Sequence, residues 1–220
     1  FQPNPEMALH AFCHAVPNAW HQMSVILSAA SCLTWISRAT GAEYEAALLE
    51  EIEHDDAPSD RLIFLPYLSG ERTPHNDPNA MGAFFGLSHD TSRSQLGRAV
   101  LEGVAFAFAD GQEALTQAGT EINAISVIGG GARSKLWGKI IASVLDKPLT
   151  YRLAGEVGPA FGAARLARLS VTGEAPLEVC TVPPVDEVIE PDPGLVDHYR
   201  SRLATFRELY GNLAPTFKNS

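Results

Sequence analysis

Apolar positions recur in two rhythms along this chain, and their alternation predicts a mixed α/β order. Residues 8–15 are short and apolar and read as a strand. After Pro17-Asn18, Trp20, Met23, Leu27, Ala30 and Thr34 fall on adjoining turns, which predicts a helix over 19–38 ending at Gly41. A second helix is expected over 43–53, running into the acidic stretch Glu50, Glu51, Glu53, Asp55 and Asp56, read as a solvated helix end. Residues 62–65 form a continuous apolar run typical of a buried strand. The polar segment 69–78, rich in Pro and Gly, is a loop, and 83–87 a further strand.

Ser92-x-x-Gln95 is a capping-box signal opening the longest helix, over 93–118, with Leu96, Val100, Val104 and Ala107 on one stripe. From there the rhythm is regular: a β-branched strand at 122–128, the Gly129-Gly130-Gly131 turn, a helix over 134–145, and a strand at 148–153. Strand–helix–strand spacing this short implies a right-handed crossover and parallel pairing. A turn at Gly155–Gly158 leads into a helix from Pro159 to about residue 169. Its small residues Gly158, Gly162, Ala163 and Ala164 predict close packing on the sheet, with the turn before them as a candidate wall of a cleft. Residues 173–193 read as a Pro-rich connector, and 195–213 as a closing amphipathic helix carrying Tyr199, Phe206 and Tyr210.

Composition narrows the function classes. With 45% apolar and 19% charged residues among 220, the chain has the makings of a folded core and is not a disordered segment. A net charge of −10 argues against a nucleic-acid binder, and no apolar run is long enough to span a bilayer, so neither nucleic acid nor membrane is an expected partner. Cys13, Cys32 and Cys180 are scattered and unpaired in pattern, which points to a reducing, cytoplasmic setting. The chain opens on Phe1 rather than Met, and the expectation is an interior piece of something longer.

The triple glycine is the most informative local feature. It follows a buried strand and opens a helix, so unpaired backbone NH groups and a positive helix end face whatever binds there, and the missing Cβ atoms allow a flat ring or phosphate close to the main chain. A tight connection without ligand is the competing reading. The sequence lacks the Walker-type phosphate loop, the dinucleotide fingerprint, GxSxG and HExxH, so a nucleotide would be held in another architecture. His10, Cys13, His14 and His21 match no metal-ligand spacing, and no metal site is expected. Asp77, Asp110 and Asp146 lie near Gly or Pro turns without an acid–base partner; Asp110 is read as a helix-surface residue.

Gly82, Phe84, Gly86, Leu87, Gln95, Leu96, Ala99, Val100, Leu101 and Glu102 together fill every place of a long signature. On that pattern, and on Phe64–Pro74, Gly129–Ser134 with Trp137, and Val157–Ala164, the chain resembles the C-terminal half of the FGGY carbohydrate kinases over essentially its whole length. The resemblance implies an α/β, actin-like ATPase (ribonuclease H-like) fold. Residues 1–220 would be the ATP-binding, C-terminal domain of a two-domain sugar kinase, truncated at its N-terminal side and lacking the upstream strands and the whole sugar-binding domain.

It further implies that Gly130, Gly131 and Ala132 form the turn against the adenine and ribose, with Gly129 and Ser134 also in the cofactor-binding set. Lys135 stands where many members carry a base-contacting Asn, and Ala30–Thr34 lies near the phosphates. The general-base aspartate is expected upstream, so no catalytic residue is assigned here. The implied activity of the parent protein is phosphorylation of D-xylulose at O5 by ATP with Mg2+, the ion being held mainly by phosphates and by residues outside this chain. A kinase for another pentulose or polyol, or a non-enzymatic nucleotide or sugar sensor on the same fold, are the alternatives. Expected partners are ATP or ADP, a small sugar through the missing domain, and, as an open option, a second copy in a homodimer.

Overall fold

The computed structural model describes residues 3–55 and 61–218; Asp56 of the acidic stretch lies outside them. A hairpin comes first, β1 (His10–Cys13) paired antiparallel with β2 (Trp20–Met23). Helices α1 (Ala30–Ala39) and α2 (Glu45–His54) follow, then a second antiparallel pair, β3 (Ile63–Leu65) with β4 (Ala83–Phe85). The long helix α3 (Arg93–Gln117) packs against β3, α1 and α2. Next come β5 (Ile125–Val127), α4 (Lys135–Leu145), β6 (Leu149–Arg152), α5 (Pro159–Thr172), the single turn α6 (Pro176–Val179), β7 (Val185–Ile189) and α7 (Pro193–Phe217). Strands β5 and β6 pair in parallel across α4, as the short spacing requires, and β7 adds antiparallel to β6 in the order β5-β6-β7.

The core forms around α3. Its start is fixed by a complete capping box: Ser92 accepts from the Gln95 NH at 3.2 Å, and the Gln95 side chain accepts from the Ser92 NH at 3.0 Å. Val100, Leu101, Val104, Ala105 and Phe106 are buried against Phe64 and Leu65 of β3, Leu48 and Ile52 of α2, and Trp137 and Ile140 of α4. Helix and strand touch at Gly103, where a Cβ would stand 2.3 Å from the Phe64 carbonyl oxygen. One buried ion pair stitches α7 to α3: Arg202 donates to Glu102 at 2.5 Å and also to the Leu62 carbonyl at 2.7 Å. Asp110, read from the sequence as a surface residue, is buried instead, its carboxylate accepting from Arg207 of α7 at 2.7 Å. The sequence had no means of bringing α7 across it.

Three elements differ from the expectation. The helix over 19–38 is a strand, an extended link and a shorter helix. Its first half cannot be helical because its backbone groups are bonded to the polar loop. The Val25 NH donates to Thr73 Oγ1 at 2.9 Å, the Leu27 NH to Glu71 Oε1 at 3.0 Å, and the Val25 carbonyl accepts from the Thr73 NH at 3.0 Å. The Pro-rich connector contains α6 and the strand β7, whose five residues Val185–Ile189 carry no regular alternation and lie between prolines. The small-residue face of α5 does not pack closely: no residue of that helix is buried among those described, and a Cβ at Gly162 would meet nothing within 4 Å. Among the described residues, no helix is long and apolar enough to cross a membrane.

Candidate functional site

The sharpest turn in the chain lies just past β5. Gly129 has φ +92° and ψ −178°, a backbone state that side-chain-bearing residues rarely adopt, and its NH donates to the Gly155 carbonyl at 3.1 Å. That bond joins the two glycine turns that follow the parallel strands β5 and β6. A short 3-10 turn, Gly130–Arg133, then leads to α4, whose first turn is capped by Ser134 accepting from the Trp137 NH at 3.2 Å. Trp137 itself is buried, its indole NH donating to the Leu101 carbonyl at 3.0 Å, so the turn is mounted on the core through a rigid side chain.

Facing the turn is the first residue of α1. A Cβ built on Gly131 would lie 3.5 Å from the Trp137 ring and 4.0 Å from the Cβ of Ala30. The approach is close because the Glu71 and Thr73 bonds to residues 25 and 27 fix where α1 begins. Helix α1 starts without a side-chain cap, and its NH groups are of the kind a helix start leaves for an external acceptor.

These elements enclose a cleft of about 460 Å³, within the range of small-molecule sites. It lies at the carboxyl end of the parallel pair, the position where α/β sheets hold ligands. Ala30, Leu33, Ala46, Leu49 and Trp137 give it apolar walls; Gly130 and Gly131 form its floor; Thr34, Glu45, Arg133 and Ser134 supply the polar groups. Glu45 opens α2, and its own NH together with the Thr34 hydroxyl holds its carboxyl below the usual carboxylate range. The cleft is therefore a slot suited to a flat, weakly polar body, with an ionised carboxylate at one edge and one cationic lining side chain, Arg133.

Of the residues singled out in the sequence, Ala30, Thr34, Gly130, Gly131 and Ser134 share this cleft. Gly129 shapes its turn from behind. Ala132 packs instead toward the second apolar cluster with Ala142 and Leu149. Lys135 points the other way: its ammonium pairs with Glu187 of β7 and stands 4.4 Å over the Tyr151 ring. The Gly155–Gly158 turn does not line the cleft. Leu33 falls inside the Ala30–Thr34 stretch, whereas Glu45, Ala46, Leu49, Arg133 and Trp137 were not foreseen as lining residues; Glu45 sits at the start of a helix that the sequence does predict, yet only the packing of α2 beside α1 brings it to the cleft. Among the described residues, no group of three or more His, Cys, Asp or Glu side chains is placed to hold a metal ion.

Comparison with known proteins bears on this arrangement. The FGGY family of carbohydrate kinases, C-terminal domain, matches residues 2–171. The xylulose kinase of Escherichia coli (strain K12) is 46% identical over 216 residues, a match covering 98% of this chain and 45% of that protein. Among solved structures, a xyloylose kinase from Brucella ovis superposes with a TM-score of 0.90 at 47% identity, covering 98% of this chain and 45% of that one. The xylulose kinase from Rhodospirillum rubrum does so with a TM-score of 0.82 at 32% identity, covering 98% and 44%. The chain thus spans less than half the length of these relatives.

Proposed function

Because the chain belongs to the FGGY family of carbohydrate kinases, we propose that it is the nucleotide-binding half of an ATP-dependent kinase that phosphorylates D-xylulose at O5. The fold is the actin-like ATPase fold of those kinases. The observation that carries the reading is the cleft in which the Gly130-Gly131 turn meets the uncapped start of α1 over apolar walls. A base fits such a slot, Leu33, Leu49 and Trp137 excluding water from its faces, and the glycine floor admits the ribose close to the main chain. The starts of α1 and α4 direct positive backbone dipoles to this side of the molecule, which favours a polyanion without a basic surface. That accommodates the net charge of −10.

When bound, ATP supplies the phosphoryl group that passes to the sugar hydroxyl. The residues of this chain orient the nucleotide; the proton of the attacking hydroxyl goes to a base on the missing part of the protein. Mg2+ is the expected companion of the phosphates, and the described residues form no ligand set for it. Sugar recognition is assigned to the other domain, and the three free cysteines accord with a cytoplasmic location.

The test is a coupled assay of ADP release by the full-length parent with MgATP and D-xylulose, run beside the 220-residue polypeptide alone. The full-length protein is expected to yield D-xylulose 5-phosphate and the isolated chain nothing. Turnover by the isolated chain would overturn this division of labour. A full-length protein inert on D-xylulose but active on another pentulose or a polyol would move the substrate and leave the nucleotide site standing.

A further inference from the structure

The one carboxylate lining the cleft poses a chemical question, since the ligand proposed for it is a polyanion. Glu45 lies beside Ala46 and Leu49 on the α2 wall, and Thr34 of α1 lines the same cleft. A carboxylate has about four lone-pair positions. Held ionised and lining the cleft, Glu45 offers acceptor capacity to whatever occupies it. Phosphate oxygens at neutral pH are acceptors, so they offer this group nothing and repel it. The donors of a nucleotide are confined to its nucleoside end: the ribose hydroxyls and the amino group of the base.

Resting on the reading of the cleft as the nucleotide site, we propose that Glu45 is a specificity-determining residue, accepting a hydrogen bond from an O–H or N–H of the nucleoside and turning the phosphate chain away from the α1–α2 side. Two features of the cleft agree. The apolar residues Leu33, Ala46 and Leu49 stand around Glu45, as a base or ribose face requires and a phosphate does not. The lining cation, Arg133, belongs to the opposite wall, the turn before α4. The phosphates would then lie nearer Ala30, one turn earlier and against Gly131.

The experiment is calorimetric titration of the full-length protein with ADP, 2′-deoxy-ADP, 3′-deoxy-ADP and IDP, repeated on Glu45→Gln and Glu45→Ala, with melting temperatures measured alongside. The wild type is expected to bind at least one analogue about 5- to 20-fold more weakly than ADP, as loss of a hydrogen bond to a charged group implies. A deoxy analogue in that place identifies the ribose as the donor, IDP the base. In E45A the penalty for that analogue should shrink to less than about twofold, because ADP itself weakens to match it. If the wild type binds all four alike, or if E45Q and E45A keep the wild-type ratios among them, the proposal is overturned. The first of these outcomes is read on the wild type alone and does not depend on a folded variant. No ADP binding at all by the wild type would instead overturn the nucleotide reading.

Discussion

His75 lies with its ring stacked 3.6 Å from that of Tyr210 and its Nε2 3.0 Å from the Tyr67 hydroxyl, while Tyr210 donates to Asp77 at 3.0 Å. Burial pushes the His75 pKa down to about 4, so the folded protein holds it neutral where an unfolded chain would take up a proton. The linkage has a definite sign: its contribution is complete above the ordinary histidine pKa of about 6.5 and is lost as pH falls toward 4. The buried carboxyls of Glu71, Glu102 and Asp110 act the opposite way, burial raising each so that the folded state gains relative stability on acidification. Urea unfolding of the wild type and of His75→Phe between pH 7 and pH 4 separates the two. The variant should show a flatter acid limb, with about 1–2 kcal/mol less loss after allowance for solvent at a partly open site; parallel curves would refute the assignment. At the cleft, Gly131→Trp must place its ring in the slot, because Trp137 and Ala30 already flank the position. Nucleotide affinity is expected to fall tenfold or more, with a calorimetric titration unaffected by the change as the contrary result. Glycine and small-residue positions of the cleft were legible because backbone requirements are written in the sequence. The direction of Lys135 was not: one step into a helix, its side chain is claimed by Glu187, fifty-two residues away, which no local pattern encodes.

At the scale of elements, the loop 69–78 decides the conformation of a segment remote in sequence. Thr73 is fully buried, its hydroxyl accepting from the Val25 NH at 2.9 Å and donating to the Ala8 carbonyl at 3.2 Å. Glu71, likewise buried, accepts from the Leu27 NH. Those bonds hold residues 24–28 out of the helix and so set the start of α1 opposite Gly131. Thr73→Val keeps the shape but strands the Val25 NH, which should cost about 1–3 kcal/mol and weaken nucleotide binding with it; Thr73→Ser should recover most of both. Equal urea midpoints for Val and Ser variants would sink this account. The same contacts explain the misread helix. Trp20, Met23 and Leu27 carry a helical spacing, yet Trp20 is 57% exposed and sits on a hairpin, because bonds from a loop nearly fifty residues downstream outweigh a local period. Where no such override acts, in α3 with its capping box and in the β5-α4-β6 unit, pattern and fold agree. Strand β7 escaped notice for a different reason: its five residues Val-Asp-Glu-Val-Ile break the period-2 pattern, and its pairing with β6 carries an irregularity there.

The whole molecule has apolar surface that its described elements do not cover. Among the described strands β5 pairs with β6 alone, and on a face of that pair Ile125 and Val127 border a groove of about 520 Å³ with Phe108, Leu115 and Leu149. Helix α5 leaves Phe161, Leu166 and Val171 exposed, and Leu177 beside it is 87% exposed. An unpaired strand edge next to apolar side chains is a template for pairing with another chain, and patches of this kind on soluble proteins mark contact surfaces. Relatives of about twice this length provide chain to occupy such surfaces. The polypeptide of 220 residues on its own is therefore expected to self-associate, with a weight-average mass that rises with concentration in sedimentation equilibrium, while the full-length protein reaches a fixed stoichiometry. Val127→Lys places a charge on the β5 edge, where Val127 is only partly buried, and should lower the association of the isolated chain severalfold without unfolding it. A charge on the exposed Val171, far along α5, distinguishes edge pairing from face contact: if Val171→Lys disperses the chain and Val127→Lys does not, the helix face rather than the strand edge drives the assembly. A monodisperse monomer across the concentration range would show that neither surface is adhesive, and that the net charge of −10 alone keeps the chain apart from its copies.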